Sequence, residues 1–506
     1  MKNLDNAPII VGIAQQTWRD SDPARTPTAA LLEVAADAVA DCGSTQLVNA
    51  IDAVATVRFI ADTNPDTRAL FPRNPGRQIA EKLGIKDPAI YQGVIGGNTP
   101  QYLVNHFANK LAGGEHNAVL ISGGELLASL FSALGSGADI SAWPGTADSE
   151  PTTIGVERDG LHTSEKPYGL YEPINTYPLF ENSLRHSLGI GFEQHQAHIA
   201  QLCSNMTQVA ANNPYAWRQK YLSAEQIANV DEKNRYIGYP YTKSMNPILA
   251  VDMAATVIMT TVGKARELGI DQSQWVYLRG GADVNDIWYV SERPTLHESP
   301  AIRLAWNKLT KSSGIDVDMI TDFDIYSCFP SAVQIACNEI GVSSLDPRGV
   351  TVTGGLPYLG GPGNNYSLHG IAQMVSSLRQ RGTGHGLVTA NGLYLTKHSL
   401  GLYSTEPAST QWQTIDSSVL QSQVDKSQRL TLADDATGAA TVDSYTVGFD
   451  RNGPKMGLVI ARNARGERVV ANTGDDAQTL AQLLVSDPIG HAGRVTVQDG
   501  VNVFEI

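Results

Sequence analysis

The feature that most constrains this chain is an alternation of strand-like and helix-like segments that occurs twice. In the first occurrence a strand-like run at 7–15 precedes a helix-like run at 26–43, and the alternation continues to residue 125. The same order returns over 299–395, where a strand is expected at 350–355. This repetition predicts an α/β protein built from two similar halves.

Two further stretches set the expected domain boundaries. The stretch 126–293 is rich in Gly, Pro, Tyr and Asn, so we expect a loop-and-helix insertion that belongs to a first half of 1–293 and carries ligand specificity. The second half is expected over 294–405. Over 406–506 the helical pattern gives way to short alternating strands joined by Asp, Asn and Gly turns. This pattern predicts a small all-β domain, similar to a barrel of the oligonucleotide/oligosaccharide-binding (OB) type.

Charge argues against two classes of partner. The chain of 506 residues carries 37 Lys and Arg against 51 Asp and Glu, a formal net charge of −14. Such a charge repels phosphate backbones and anionic lipid, so neither a nucleic acid nor a membrane surface is an expected partner. The expected β domain also has no aromatic and basic face for single-stranded nucleic acid.

Cysteine and histidine spacing gives no sign of disulfides or metal. The cysteines are few and none forms a C-x-x-C pair, which favours a reducing cytoplasm. The N-terminal sequence contains no signal-peptide or membrane-spanning pattern, so we expect neither export nor a membrane span. His195 and His198 lie one helical turn apart, but no carboxylate motif completes a metal site, and we expect them on a solvated helix face. The four cysteines are Cys42, Cys203, Cys328 and Cys337.

The first candidate for chemistry is a strand-to-helix elbow at 93–101. Its Gly-Gly turn precedes a helix expected to start at Pro100 with Thr99 as its cap. Backbone N–H groups at a helix start stabilise negative charge, so Gly97 and Asn98 are candidates for binding an oxyanion. Gly97 has no side chain and therefore cannot act as a nucleophile. The alternative is an ordinary tight turn.

The second candidate is Cys328, which follows Tyr326 at the end of an expected strand and lies just before a helix containing Pro330. A thiol at a helix start is expected to have a lowered pKa, which makes Cys328 a candidate nucleophile or proton shuttle. The alternative is a small buried packing residue, which is the usual role of a free cysteine.

The third candidate is the glycine-dense segment 353–370, which leads into a helix carrying His369. Glycines allow the backbone to approach a ligand, but the segment lacks the ending of a P-loop and the full dinucleotide fingerprint. His369 is a candidate base that faces the pocket, or else a satisfied core histidine.

The fourth candidate is the turn that contains Gly392, followed by Lys397 and His398. The alternatives here are a functional turn and a β-turn with a basic pair on the surface.

Together these segments resemble the thiolase superfamily, and in particular acetyl-CoA acetyltransferases close to the sterol-carrier-protein thiolases. Supporting segments are VGIAQQTW in the first strand, VLISGGE at 119–125, NPYAWRQKY at 213–221 and AVDMAAT at 250–256. The resemblance covers nearly all of 1–405. It implies a duplicated fold of two α/β halves in five layers, an acyl-CoA ligand with coenzyme A as co-substrate and no other cofactor, and a homodimer as the family default, with a monomer still open.

The catalytic set departs from the thiolase pattern. Gly97 occupies the position of the acyl-accepting cysteine, and Tyr326 replaces the Asn or His of the block in which Cys328 remains. The Gly-His-Pro loop becomes Gly-Gly-Pro around Gly361, and the final Cys-x-Gly keeps only Gly392.

The resemblance therefore implies an acyl-CoA-dependent acyltransferase of the thiolase-like type, which makes or breaks carbon–carbon bonds in CoA thioesters without the usual nucleophilic cysteine. The alternatives are a thiolase-fold retro-aldol lyase that uses Tyr326 and a non-catalytic acyl-CoA-binding protein. They differ in whether the catalytic candidates meet in one cavity. The expected catalytic residues are Cys328, Tyr326, His369 and His398, and the expected substrate- or oxyanion-binding residues are Gly97, Asn98, Gly361 and Gly392.

Overall fold

A computed structural model describes residues 4–145, 149–433, 435–474 and 477–505. Among these residues ten strands form a central sheet and seven form a second sheet. The strands of the central sheet are β1 Pro8–Thr17, β2 Ile51–Thr56, β3 Ala89–Gly93, β4 Ala118–Leu126, β5 Thr152–Ile154, β8 Asp252–Thr261, β9 Val276–Asn285, β10 Ile320–Asp324, β11 His385–Gly392 and β12 Lys397–Ser404. Those of the second sheet are β6 Tyr236–Gly238, β7 Tyr241–Thr242, β13 Gly438–Asp450, β14 Gly453–Asn463, β15 Arg468–Thr473, β16 Ala492–Gln498 and β17 Val501–Glu505.

The described α-helices cover the faces of these sheets. They are α1 Pro27–Asp41, α2 Leu47–Ala50, α3 Pro65–Arg68, α4 Pro75–Leu83, α5 Thr99–Ala112, α6 Leu127–Ser136, α7 Pro173–Ser187, α8 Phe192–Asn212, α9 Ala224–Ala228, α10 Val262–Glu267, α11 Pro300–Ser313, α12 Pro330–Ile340, α13 Tyr366–Arg381, α14 Ser418–Asp425 and α15 Ala477–Val485. None of them combines the length and the apolar composition needed to cross a membrane.

The strand order confirms the duplication. The central sheet runs β10-β11-β12-β9-β1-β8-β4-β2-β3-β5, so β2, β4, β8 and β1 of the first half correspond to β10, β11, β12 and β9 of the second. Each set contains one parallel pair followed by two antiparallel pairs. The halves meet where β1 pairs with β9 at Ile9 and Ile10.

Helices complete five layers. The central helices α5 and α13 pack between the two halves of the sheet, and Leu103, Phe107, Leu368 and Ile371 from these helices are fully buried there. Helices α1 and α4 cover the outer face of the first half, and α11 and α12 cover that of the second. This is the thiolase-like α/β fold that the sequence predicts.

One expected strand does not form, because the segment 350–355 binds a buried carboxylate. The hydroxyls of Thr351 and Thr353 donate to Asp324 Oδ1 at 2.8 and 3.1 Å, and the Val352 amide donates to the same oxygen at 3.2 Å. These bonds replace those of a strand ladder.

The stretch 126–293 also differs from the expectation of loops and helices, since it contains the core strands β8 and β9. Strand β9 is difficult to recognise in the sequence because Arg279, Gly280, Gly281 and Asp283 interrupt its apolar residues. The inserted material therefore lies between β4 and β8. Strand β9 pairs with β12 of the second half although it precedes the expected boundary at 293, and the boundary at 405 remains a prediction.

The C-terminal residues form the expected small barrel. Strands β13, β14, β15, β17 and β16 pair in that order, and β13 closes the ring because it pairs with both β14 and β16. The closure agrees with the OB-like prediction. Arg468 is buried between the barrel and the core, where its guanidinium donates to the carbonyls of Ser291 and Arg293 at 3.1 and 2.6 Å and contacts Asp443.

Candidate functional site

The elbow lies between β3 and α5, where the glycines allow a tight turn. The helix starts at Thr99, one residue earlier than expected, and the Thr99 hydroxyl donates to the carbonyl of Val94 at 2.6 Å instead of capping the helix. The amide of Gly96 donates to Asn364 Oδ1 at 3.0 Å. The amides of Gly97 and Asn98 have no acceptor among the described residues. The elbow can therefore bind a negatively charged oxygen at the start of a helix.

The side chain of Tyr326 fills the space next to Gly97. A Cβ atom built on Gly97 would lie 2.1 Å from Tyr326 Oη and 2.5 Å from the carbonyl oxygen of Asn391. The Tyr326 amide donates to Thr389 Oγ1 at 2.9 Å, and its ring packs edge-on against Tyr366 at 5.3 Å between centroids. Burial raises the pKa of Tyr326, so its phenol is neutral at ordinary pH. The elbow thus has no nucleophile, and a neutral hydroxyl stands in its place.

Cys328 lies close to this point but is not an activated thiol. Asn391 Nδ2 lies 3.7 Å from Cys328 Sγ and donates to Tyr177 Oη at 2.9 Å. Burial raises the pKa of the Cys328 thiol to about 12. The expected lowered pKa is therefore wrong, because desolvation outweighs the start of α12. Cys328 lines neither of the two clefts described below.

The other predicted residues separate into two groups. Gly392 backs onto the elbow, since a Cβ atom there would lie 2.6 Å from Asn98 Oδ1. Gly361 is elsewhere, and its amide donates to the carbonyl of Ile248 at 2.8 Å, so it is not available for an oxyanion. His369 is fully buried, with Nδ1 3.1 Å from the Gln15 side chain, and burial lowers its pKa to about 3. The structure therefore gathers Gly97, Asn98, Gly392, Tyr326 and Cys328 around the elbow, and not Gly361 or His369.

Two open clefts meet beside this elbow, which contributes Val94 and Asn98 to the first and Val94 and Ile95 to the second, while Gly97 lies behind their surface. Cleft A, of about 570 Å³, extends from the elbow along α5, β9 and the segment 415–429. Cleft B, of about 540 Å³, extends towards 58–68 and the loop 155–160. Both are lined by Val94, Val156, Arg158, Trp288 and Lys397.

Cleft A contains groups suited to acid–base chemistry. His398 Nε2 lies 3.1 Å from Asp286 Oδ2, which also accepts the Ser299 hydroxyl at 2.5 Å. Burial opposes ionisation of Asp286, but the hydrogen bonds from His398 and Ser299 hold its pKa below the ordinary value. Asp283 has the opposite environment, because burial raises its pKa to about 7 although Asn105 donates to it at 3.0 Å. Two carboxyl groups with pKa values moved apart are a typical acid and base arrangement.

Lys397 stands at the junction of the two clefts. Its Nζ donates to the carbonyl of Ile95 at 2.8 Å, and only 8% of the residue is exposed. Burial lowers its pKa to about 8. Of the two alternatives for this turn, the surface basic pair is wrong, because the fold buries both Lys397 and His398.

The pair His195 and His198 does not form a solvated face. His195 is 1% exposed, and its Nε2 lies 2.5 Å from the buried carboxylate of Glu181. The Glu181 carboxylate also accepts the Tyr241 hydroxyl at 2.6 Å and the Gln334 amide at 2.8 Å. His195 is therefore part of a buried polar network, whereas His198 is half-buried, with Nε2 2.9 Å from Ser344 Oγ. Within the described ranges, no group of three or more His, Cys, Asp or Glu side chains is placed to hold a metal ion.

Comparison with known proteins now decides the family. Residues 419–500 match a family model described as the additional C-terminal domain of thiolase-like protein type 1. The whole chain is 33% identical to a solved structure, a monomeric SCP2-thiolase-like protein type 1 from Mycobacterium smegmatis, with a TM-score of 0.85 and 99% of each chain covered. The chain belongs to the SCP2-thiolase-like proteins of type 1. No curated protein is similar enough to count as a match.

More distant solved structures share the fold of this SCP2-thiolase-like protein. An Ltp2-ChsH2(DUF35) aldolase is 19% identical with a TM-score of 0.60, covering 80% of this chain and 99% of its own. An acetyl-CoA acetyltransferase from Syntrophomonas wolfei is 15% identical with a TM-score of 0.55, covering 79% and 100%. The Acat5 thiolase from Ascaris suum in complex with coenzyme A is 17% identical with a TM-score of 0.54, covering 79% and 99%.

The structure adds two residues that the sequence analysis did not select, Asp283 and Asp286, and it places Lys397, noted there only beside a turn, at the junction of the clefts. Asp283 belongs to β9 and Asp286 directly follows this strand, which the sequence did not reveal. A weak signal existed in the spacing of ADVND, which places both carboxylates near one strand end, but only the pairing of β9 with β12 brings them to His398.

Proposed function

We propose that this SCP2-thiolase-like protein binds a CoA thioester at the elbow and makes or breaks a carbon–carbon bond in it without forming an acyl-enzyme. The observation that carries the proposal is that the elbow has no nucleophile, while acid and base groups lie in the cleft beside it. Tyr326 fills the place next to Gly97 where a nucleophile would stand, while His398, Asp286 and Asp283 line an open cleft at the same point. The reaction is then acid–base chemistry on a bound substrate.

Charge distribution supports one orientation of the ligand. Cleft B is lined by four cations and three carboxylates, and Arg58 is paired with two of these carboxylates, Asp62 and Glu157. Arg68 and Arg158 are therefore the cations that suit the phosphates of coenzyme A on a protein of net charge −14. The Arg158 guanidinium stacks 4.8 Å from the Trp288 ring centroid. The acyl group then extends into cleft A, and the thioester oxygen lies near the elbow amides of Gly97 and Asn98.

In this arrangement His398 is the base that takes a proton from the substrate, and Asp286 holds the imidazole and stabilises its charged form. Asp283, which is protonated below pH 7, is the acid that returns a proton to the product. Product analysis separates the Claisen-type and retro-aldol directions.

The proposal predicts that His398→Asn loses turnover but keeps substrate binding. We expect a fall in turnover of about 10²- to 10⁴-fold, the usual contribution of a general base. Calorimetry with CoA esters of graded acyl length measures binding, and mass spectrometry identifies products and adducts. His106→Asn is the matched control, because His106 lines the same cleft without the Asp286 partner.

Three outcomes would contradict the proposal. A stable acyl adduct on Cys328 would show covalent catalysis by another route. Binding without turnover of any ester would leave a non-catalytic acyl-CoA-binding protein. Absence of binding by every CoA ester at millimolar concentration would remove the ligand class itself.

We also propose that the protein is a monomer. The resemblance to thiolases implies pairing through the edge of the first-half sheet, but β5 pairs with β3 through Tyr91, Gln92 and Gly93 and occupies that edge. The similar protein from Mycobacterium smegmatis is described as monomeric. Light scattering should give the mass of one chain at all concentrations, and replacing residues 152–154 by Gly-Ser-Gly should promote self-association. A dimer of the unmodified chain at micromolar concentration would contradict this prediction.

We place the protein in a reducing compartment such as the cytoplasm. Its cysteines are all free and buried. Burial raises the pKa of each of them, so they are poor thiolates and none is poised to form a disulfide.

A further inference from the structure

Lys397 has unused hydrogen-bonding capacity at the place where cleft A and cleft B meet. Its ammonium donates to the carbonyl of Ile95, and a Cβ atom built on Gly96 would lie 2.8 Å from Nζ, so the ammonium touches the elbow backbone. It forms no ion pair with any described carboxylate, and Glu157, which attracts it from a distance, is paired with Arg58. An ammonium has three donors, so two remain available at the junction.

The chain holds Lys397 there through an unusual turn. Leu393 and Leu395, between β11 and β12, have φ angles of 59° and 49°, in the left-handed region that non-glycine residues rarely adopt. The Tyr177 hydroxyl donates to the Leu393 carbonyl at 2.9 Å and accepts from the Leu395 amide at 3.3 Å. Strained backbone persists only where the surrounding structure holds it. Here the Tyr177 hydrogen bonds hold the turn, and the turn places the start of β12 at the elbow.

A second source of positive charge, the N-terminal end of helix α5, lies at the same place. Helix α5 has 14 residues and begins at Thr99, so the unpaired amides of Gly97 and Asn98 lie at the positive end of its dipole. Burying a cation without a partner costs free energy. An anionic oxygen bound by the ammonium and the unpaired amides offsets this cost. The arrangement is complementary to a charge that appears during a reaction.

We propose that the Lys397 ammonium, together with the elbow amides, binds the thioester oxygen of the substrate and stabilises the enolate formed when the α-proton is removed. This inference rests on the proposed function. In the step, the α-carbon–hydrogen bond breaks and the proton goes to His398. The two electrons of the broken carbon–hydrogen bond form a carbon–carbon double bond. The π electrons of the carbonyl group move onto the thioester oxygen, which becomes the enolate oxygen. Lys397 keeps its proton, and no oxidant or co-reactant is required.

Exchange of α-protons for deuterium tests this step directly. Wild-type protein with acetyl-CoA in D₂O should incorporate deuterium into the acetyl group, measured by mass spectrometry. Lys397→Met should slow the exchange by about 100-fold or more, the usual effect of removing one oxyanion donor, while calorimetry shows little change in acetyl-CoA affinity. Lys308→Met is the control, because Lys308 is an exposed lysine that lines a different cleft.

A chemical rescue distinguishes loss of the ammonium from misfolding of the Lys397→Met variant. Lys397→Cys treated with 2-bromoethylamine regains an ammonium at nearly the same position and should recover much of the exchange rate. Position 397 lines both clefts, whereas the four native cysteines line neither cleft and have raised pKa values, so the reagent should reach the introduced thiol and leave the wild-type chain unmodified. Lys397→Arg keeps the charge and reports whether charge alone suffices.

The outcomes separate this inference from the proposed function. If wild-type protein binds no acetyl-CoA or other CoA ester, the proposed function fails. If it binds acetyl-CoA and exchanges deuterium, but Lys397→Met exchanges equally fast, the role of Lys397 is overturned and the proposed function stands. Binding of acetyl-CoA without any exchange in the wild type also overturns the enolate role.

Discussion

Gly97→Ala should destabilise the protein by about 3 kcal/mol, although the change adds only one methyl group. The new Cβ would lie 2.1 Å from Tyr326 Oη and 2.5 Å from the Asn391 carbonyl, both far inside van der Waals contact. Neither neighbour can move easily, because Tyr326 packs against Tyr366 and the Asn391 carbonyl is backbone. Urea unfolding monitored by circular dichroism measures the effect.

A double-mutant cycle shows that Tyr326 causes the clash. Tyr326→Ala alone should cost about 3–5 kcal/mol through the cavity it leaves. Gly97→Ala combined with Tyr326→Ala should cost clearly less than the sum, because the new methyl group enters that cavity. Gly135→Ala is the control, since a Cβ there meets nothing within 4 Å. Additive effects, or a Gly97→Ala variant as stable as the wild type, would show that Tyr326 does not fill the elbow.

Glu125 should make a contribution to stability that is lost as the pH rises from about 4.5 to 8, and Glu125→Gln should remove this contribution. Glu125 is 1% exposed near the end of β4, where Oε1 accepts the Ile60 amide at 2.6 Å and Oε2 has no partner among the described residues. Burial raises its pKa from 4.5 to about 8. Between these values the folded state binds more protons than the unfolded state, so raising the pH favours unfolding, by roughly 3–5 kcal/mol over the whole window for this group.

Chemical denaturation at a series of pH values measures this dependence. Glu125→Gln keeps an acceptor for the Ile60 amide and carries no charge, so the variant should be more stable than the wild type at pH 8 and similar to it at pH 4.5. Asp283 and Asp324, with pKa values raised to about 7 and about 6, contribute in the same direction in both proteins. His369, with its pKa lowered to about 3, contributes in the opposite direction in both, so the difference between the two profiles reports Glu125. Glu81→Gln, at an exposed position on α4, should leave the pH profile unchanged. An identical profile for Glu125→Gln would show that this carboxyl is ionised in the folded protein.

The elbow and Glu125 are parts of one assembly. A Cβ atom on Gly363 would lie 2.4 Å from Glu125 Oε1, so the glycine-rich segment before α13 needs its glycine there to pack against the carboxyl. Asn364 in the same segment accepts the Gly96 amide and donates to the Arg58 carbonyl at 2.8 Å. The glycine segment, interpreted from the sequence as a ligand loop, thus supports the elbow from behind.

The sequence by itself determined the features that depend on local pattern and composition. Strand and helix periodicity over 7–125 and 299–395 predicted the duplicated α/β fold, and turn residues after 405 predicted the small barrel, because both signals repeat along the chain. The lack of a nucleophile at Gly97 also needed no structure. Strand β9 was missed because its glycines and charged residues hide the period that reveals a strand.

Only the tertiary structure decided the chemistry of the site. The pKa of Cys328 depends on how much of the thiol is desolvated, and that burial outweighs the start of α12, the only local signal in the sequence. Asp286 and His398 are 112 residues apart and meet because β9 pairs with β12. Tyr326 fills the space at Gly97 from a distant segment. Local sequence sets backbone preferences, whereas burial and electrostatic partners arise from contacts between remote segments, and these decide which groups can react.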